Sequence, residues 1–125
     1  MPSGRSVFHK HPDYRVDLDP NPKRTSVRFA GEVVADSAKS LHVHETQHAA
    51  VVYFPRDDVR MDLLERTDHS SHCPFKGDAS YWTIRAGGEV AENAVWSYED
   101  PFEEVAGLKD YLAFYADRTQ LQQDD

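Results

Sequence analysis

Ser80-Tyr81-Trp82-Thr83-Ile84-Arg85-Ala86, then Gly87-Gly88, then Glu89-Val90-Ala91-Glu92-Asn93-Ala94-Val95-Trp96-Ser97-Tyr98 is the stretch that decides the fold. Two alternating segments rich in aromatic and β-branched residues are joined by two glycines, the composition of a hairpin closed by a primed turn. With Gly87 and Gly88 as the loop, Ala86 opposes Glu89, Ile84 opposes Ala91, Thr83 opposes Glu92, Trp82 opposes Asn93 and Tyr81 opposes Ala94. Side chains alternate across a strand, so one face carries Trp82, Ile84, Ala91, Asn93 and Val95, and the other Tyr81, Thr83, Arg85, Glu92, Trp96 and Tyr98. The first has the character of core. The second sets a carboxylate among rings, with Arg85 diagonal to Glu92, which is costly to bury unless paired.

Outward from the hairpin, Val27-Arg28-Phe29 and Glu32-Val33-Val34-Ala35 flank an Ala30-Gly31 turn, Leu41-His42-Val43-His44 alternates, and Val51-Val52-Tyr53-Phe54 is a short strand ended by Pro55. Asp57 to Arg66 reads as a turn followed by a strand. Val105, Leu108, Tyr111, Leu112 and Tyr115 keep helical spacing, whereas Tyr111 to Tyr115 also fits a strand. Residues 1–24 hold Pro2, Pro12, Pro20 and Pro22 and form a proline-rich arm; 25–118 form the domain; 119–125 are an acidic tail that frays from Gln120. The expected fold is mainly β: a single domain of about seven or eight short antiparallel strands in a sandwich or open barrel, with one or two short helices.

Composition narrows the function classes. The 125 residues suit one core, and 39% hydrophobic with 11% aromatic content is enough to build it. The longest apolar run, Ala49 to Phe54, is six residues, against roughly 20 for a membrane-spanning helix. A net charge of −8 without a basic stripe disfavours nucleic acid as a partner. The beginning of the chain lacks the apolar stretch of a secretory signal, and the single cysteine, Cys73, forms no internal disulfide; both fit a cytoplasmic setting.

Four constellations could carry chemistry. His44-Glu45-Thr46-Gln47-His48 matches the H-E-x-x-H zinc pattern, which needs a helix, but it lies between strand-like segments that would keep the two histidines off one face. His69, His72 and Cys73 lack the spaced cysteines of a closed zinc site. Asp17-Leu18-Asp19 spaces two carboxylates as in metal-dependent phosphoryl transfer, without a Gly-Ser lead-in; neither phosphate-loop glycine pattern occurs, and no metal or cofactor is expected. His72-Cys73-Pro74-Phe75-Lys76-Gly77 brings a thiol near an ammonium, which allows a nucleophilic Cys73 assisted by Lys76, or else a small packed thiol. The polar hairpin face gives a further candidate: a ligand pocket in which Arg85 and Glu92 hold polar groups and Tyr81, Trp96 and Tyr98 stack on a flat ligand, joined by Tyr53 and Arg56, or else an exposed sheet face with an ordinary ion pair.

Phe29-Ala30-Gly31-Glu32-Val33-Val34-Ala35-Asp36, Val52 through Met61, Thr67 through Gly77, Ala79-Ser80-Tyr81-Trp82, Ala94 through Tyr98 and Tyr111 through Tyr115 together resemble domain-of-unknown-function family 427 over about residues 25 to 118. The resemblance implies a small, mainly β domain of bacterial and fungal proteins, filed under a nucleotidyltransferase-like heading. Tandem copies in relatives point to a homodimer of this single copy. Tyr53, Arg56, Cys73, Lys76, Gly77, Tyr81, Trp82, Glu92, Trp96 and Tyr98 fall on the family's motif positions. The sequence thus gives three functional readings: a domain binding a small polar or planar, nucleotide-like molecule, a thiol-dependent enzyme at Cys73, and a protein-interaction module whose aromatic face docks a partner.

Overall fold

A computed structural model describes residues 6–123; the first five residues of the expected arm and the last two of the acidic tail lie outside the described residues. Among the described residues, ten strands build two antiparallel sheets. In chain order they are β1 (Val16–Pro20), β2 (Thr25–Phe29), β3 (Glu32–Ser37), β4 (Leu41–Glu45), β5 (Val51–Pro55), β6 (Leu64–Cys73), β7 (Gly77–Ala86), β8 (Glu89–Ser97), β9 (Tyr111–Phe114) and β10 (Gln120–Gln123). The large sheet runs β1-β4-β5-β9-β8-β7-β6 and the small one β10-β2-β3. Short 3₁₀ turns at Arg56–Asp58, Met61–Leu63 and Glu103–Leu108 link them. No described helix is long and apolar enough to cross a membrane.

The expected mainly β domain is present, and its extra strands come from the two ends. The segment read as an arm contributes β1, which pairs with β4 from Val16↔Glu45 to Pro20↔Leu41. Pro20 is accommodated because β1 is an edge strand. The tail read as frayed contributes β10, paired with β2 from Gln120↔Arg28 to Gln123↔Thr25. The last aromatic segment divides: residues 103–108 form a 3₁₀ turn and Tyr111–Phe114 a strand, because Asp110, at φ 62°, breaks the helical course between them. His69 and His72 lie within the exposed edge strand β6 and not in a loop.

Strand alternation gives the large sheet two differently employed faces. Phe54, Trp82, Ile84, Val95 and Leu112 point to one side and pack with Val27 and Val34 of the small sheet. Their chain neighbours Tyr53, Tyr81, Trp96 and Ala113 point to the other, against Val105, Leu108 and residues of the N-terminal segment. That second face is covered only in part, and its open portion holds the candidate site.

Two tight turns meet at one end of the sandwich. Ala30 and Gly31, and likewise Gly87 and Gly88, have positive φ, as a primed two-residue hairpin turn requires. A Cβ at Gly87 would come within 2.5 Å of the Ala30 carbonyl oxygen and 2.8 Å of its Cβ, whereas one at Gly88 would meet nothing within 4 Å. Gly88→Ala should therefore cost only the left-handed backbone penalty, about 1 kcal/mol, and Gly87→Ala clearly more. Urea denaturation of the two variants checks the order; equal losses would contradict the contact between the turns.

Candidate functional site

The open part of the second face is a cleft of about 390 Å³. Its polar centre is Glu45, delivered by the alternation of β4. Leu41 and Val43 face this side of the sheet, so Glu45, two residues on, does too. Lys76 reaches it from the opposite wall. The Cys73-to-Lys76 turn is closed by Lys76 N–H donating to the Cys73 carbonyl at 3.2 Å, and the Lys76 carbonyl accepts from Phe102 N–H at 3.0 Å. The Lys76 ammonium donates to Glu45 Oε1 and the Tyr14 hydroxyl donates to Oε2. Both charged side chains are nearly buried, at 10% and 13% exposure. The ammonium also lies 5.7 Å from the Tyr98 ring centroid, and His48 Nε2 is 4.0 Å from Glu45 Oε2.

Rings form the rest of the wall. Trp96 Nε1–H donates to the Tyr53 hydroxyl at 3.0 Å, with the two rings nearly perpendicular and their centroids 6.1 Å apart. Tyr81 and Ser71 share a hydroxyl hydrogen bond of 2.9 Å. The N-terminal segment is held over this wall by Phe75 at the tip of the β6–β7 turn: Tyr14 stacks on it at 3.7 Å, Phe8 meets it edge-on at 5.0 Å, and Val7 N–H donates to the Pro74 carbonyl at 3.1 Å.

These surroundings set the protonation states. Burial alone would raise the Glu45 pKa, but hydrogen bonds from Lys76 and Tyr14, with the Lys76 charge, hold it below the usual carboxylate value. Burial, reinforced by the Glu45 carboxylate, pushes the Tyr14 phenol well above its ordinary value. Tyr53 and Tyr98 are raised likewise, chiefly by burial, the Trp96 hydrogen bond offsetting part of the effect at Tyr53. The cleft therefore sets the Glu45 carboxylate against the Lys76 ammonium among protonated phenols, a site rich in both donors and acceptors.

The structure brings together Tyr53, Cys73, Lys76, Tyr81, Trp96 and Tyr98, all of which line the cleft. Arg56, Arg85 and Glu92 are elsewhere. Arg85 Nε donates to Glu65 Oε2 at 3.0 Å on an exposed surface. Glu92 is exposed, and its backbone carbonyl accepts from Arg118. Arg56 contacts Glu99 at 3.4 Å and lies over the Trp82 ring at 5.7 Å. The expected Arg85–Glu92 couple fails for a local reason: beyond Ile84↔Ala91 the pairing slips by two residues, to Trp82↔Val95 and Tyr81↔Trp96. The excess is absorbed around Glu92 and Asn93, the latter in the left-handed region at φ 52°. A slip of an even number of residues preserves the faces, so Tyr81 and Trp96 still point into the cleft. At Cys73, the ammonium expected to favour a thiolate donates to Glu45 instead.

Glu45 and His48, which the sequence sets within the H-E-x-x-H pattern, and Tyr14 are the site residues outside the expected ligand pocket. His44 belongs to strand β4 and lies 3.6 Å from Asp19, while His48 follows a turn and lines the cleft, so the pair is not one helical turn apart. Among the described residues, no group of three or more His, Cys, Asp or Glu side chains is arranged to hold a metal ion.

Fold and site define a class: a two-sheet β domain with an ion pair set in an aromatic cleft on the free face of its larger sheet. Over residues 17–125 the chain matches the family described as Domain of unknown function (DUF427), and it belongs to that family. No curated protein matches it.

The lowered Glu45 pKa fixes a sign for acid stability. A carboxyl whose folded value lies below its value of 4.5 in the absence of partners adds stability that is fully present above pH 4.5 and is lost as pH falls through the folded value. Glu99, held down by Ser80, Arg66 and Arg56 although burial works upward, acts in the same direction. Urea denaturation from pH 7 to pH 3 should show wild-type stability falling below about pH 4.5. The fall should be shallower in Glu45→Gln, and an identical acid slope in the two proteins would contradict the assignment.

Proposed function

We propose that the cleft binds a small, planar, polar molecule of nucleobase-like character. The observation that carries this reading is the Glu45–Lys76 pair, held almost out of water at the centre of an open hollow. Burying an ion pair rarely adds to stability compared with apolar packing, so its placement in a concave wall of rings fits recognition as well as the fastening of the segments around it. Trp96 and Tyr81 offer faces and edges for a flat ligand, and the phenols of Tyr53 and Tyr98 offer protons for its acceptors. A volume of about 390 Å³ suits one ring system with polar substituents.

Cys73 on the same wall supports a second reading, a thiol-dependent reaction on that ligand. The two differ in what Cys73→Ser does: a binding site keeps its ligand, and a thiol enzyme loses turnover.

The test is a thermal-shift panel of nucleobases, nucleosides and small neutral polar metabolites. A true ligand at 100 times its Kd should stabilise the fold by about 2.7 kcal/mol and slow alkylation of Cys73 by iodoacetamide. Tyr98→Phe, which removes one buried hydroxyl, should weaken binding about tenfold. A flat panel, with alkylation unchanged by every member, would overturn the reading.

A further inference from the structure

The cleft shares a wall with a second hollow. Val51, Trp96 and Tyr115 line it on one side and also line a hollow of about 350 Å³, whose farther side is formed by Val52, Phe114 and Leu121. This second hollow is the seam where the chain leaves the large sheet at β9 and crosses to the small sheet at β10. Tyr115 N–H donates to the Ala94 carbonyl at 2.9 Å, and the Tyr115 carbonyl accepts from Arg118 N–H at 3.1 Å and the Thr119 hydroxyl at 2.8 Å, which fixes the crossing. Tyr115 packs on Trp96 with centroids 4.6 Å apart. Yet Tyr115 remains 40% and Leu121 45% exposed, and they are two of the three large hydrophobic side chains so exposed among the described residues. The Tyr115 ring, whose hydroxyl is engaged with Tyr81 in the cleft, and Leu121 of the seam thus both stand partly in water.

Resting on the cleft reading, we propose that the ligand is amphipathic: an uncharged polar head at Glu45 and Lys76, and an apolar extension that passes Trp96 and Tyr115 to cover Leu121 and Phe114. The head is uncharged because Glu45 and Lys76 neutralise each other. An anion would meet the carboxylate, and the chain's net charge of −8, while a cation would meet the ammonium. A neutral group with both a donor and an acceptor, such as a carboxamide or the edge of a heterocycle, satisfies both. The extension is apolar because the seam presents few polar groups to bind, and covering its side chains removes apolar surface from water.

The test uses the uncharged probes butanamide, hexanamide and octanamide, with binding read by calorimetry and by NMR shifts of the Trp96 indole. Each added methylene that enters the seam should tighten binding about threefold to fourfold. Leu121→Asp and the milder Leu121→Ser change only an exposed position on an edge strand. They should abolish most of the chain-length gain and leave butanamide binding as in the wild type. Equal affinity across the series would overturn the extension while leaving the polar cleft in place. A chain-length gain that survives both variants at full size would place the tail elsewhere and likewise overturn it. Failure of all three amides beside a positive nucleobase panel would overturn the amphipathic ligand and spare the cleft reading, whereas failure of both would remove the two together.

Discussion

Both oxygens of the Glu45 carboxylate are engaged, and the two donors come from distant parts of the sequence: Lys76 from the β6–β7 turn and Tyr14 from the N-terminal segment. Removing two charges from water is expensive, and the cost is offset only when geometry and extra hydrogen bonds are good. Here the carboxylate also accepts a hydrogen bond from the Tyr14 phenol, and the ammonium lies near the Tyr98 ring as well. The pair couples three parts of the fold. It fixes the end of β4, draws the β6–β7 turn over the sheet, and through Tyr14 and Phe75 fastens the segment that continues into β1. The cleft is the space that these constraints leave open.

The large sheet explains why the polar cleft is on one side. Its first face meets the small sheet through Val27 and Val34. Its second face is roofed in part by Val105, Leu108 and the N-terminal residues. Tyr53, Tyr81 and Trp96, placed there by the two-residue period of β5, β7 and β8, and Tyr98 just past β8 pack beneath this cover and wall the cleft. Trp96 donates to the Tyr53 hydroxyl, and Tyr81 pairs with Ser71, as buried polar atoms must.

Much of this was legible in the residues. Gly87-Gly88 is a strong turn signal because few other pairs accept two positive φ values, and the alternation of Trp82 and Ile84 against Tyr81 and Trp96 survives any slip by two. The bulge at Glu92 and Asn93 was not legible: that Asn tolerates the left-handed region marks it only weakly, and it depends on Trp82 pairing with Val95 in the assembled sheet. Arg85 was assigned to the wrong carboxylate because its partner, Glu65, belongs to a strand whose pairing with β7 is set by tertiary contacts. Glu45 was hidden by its own motif. Set within H-E-x-x-H it invites comparison with helical zinc sites, whereas the same alternation that defines β4, carried two residues past Val43, places it in the cleft. The strands at either end, β1 and β10, have weak patterns of their own and owe their order to the neighbours they pair with.

The claim on which the account rests is that Glu45 and Lys76 act as one unit. A double-mutant cycle with Glu45→Gln, Lys76→Met and the double variant, by urea denaturation at pH 7, measures this directly. Each single change leaves a nearly buried charge without its partner, so the double variant should be more stable than the sum of the single losses implies, with a coupling of about 1–3 kcal/mol. Losses that add to within about 0.5 kcal/mol would mean that the two side chains do not depend on each other, and the cleft would lose its organising interaction.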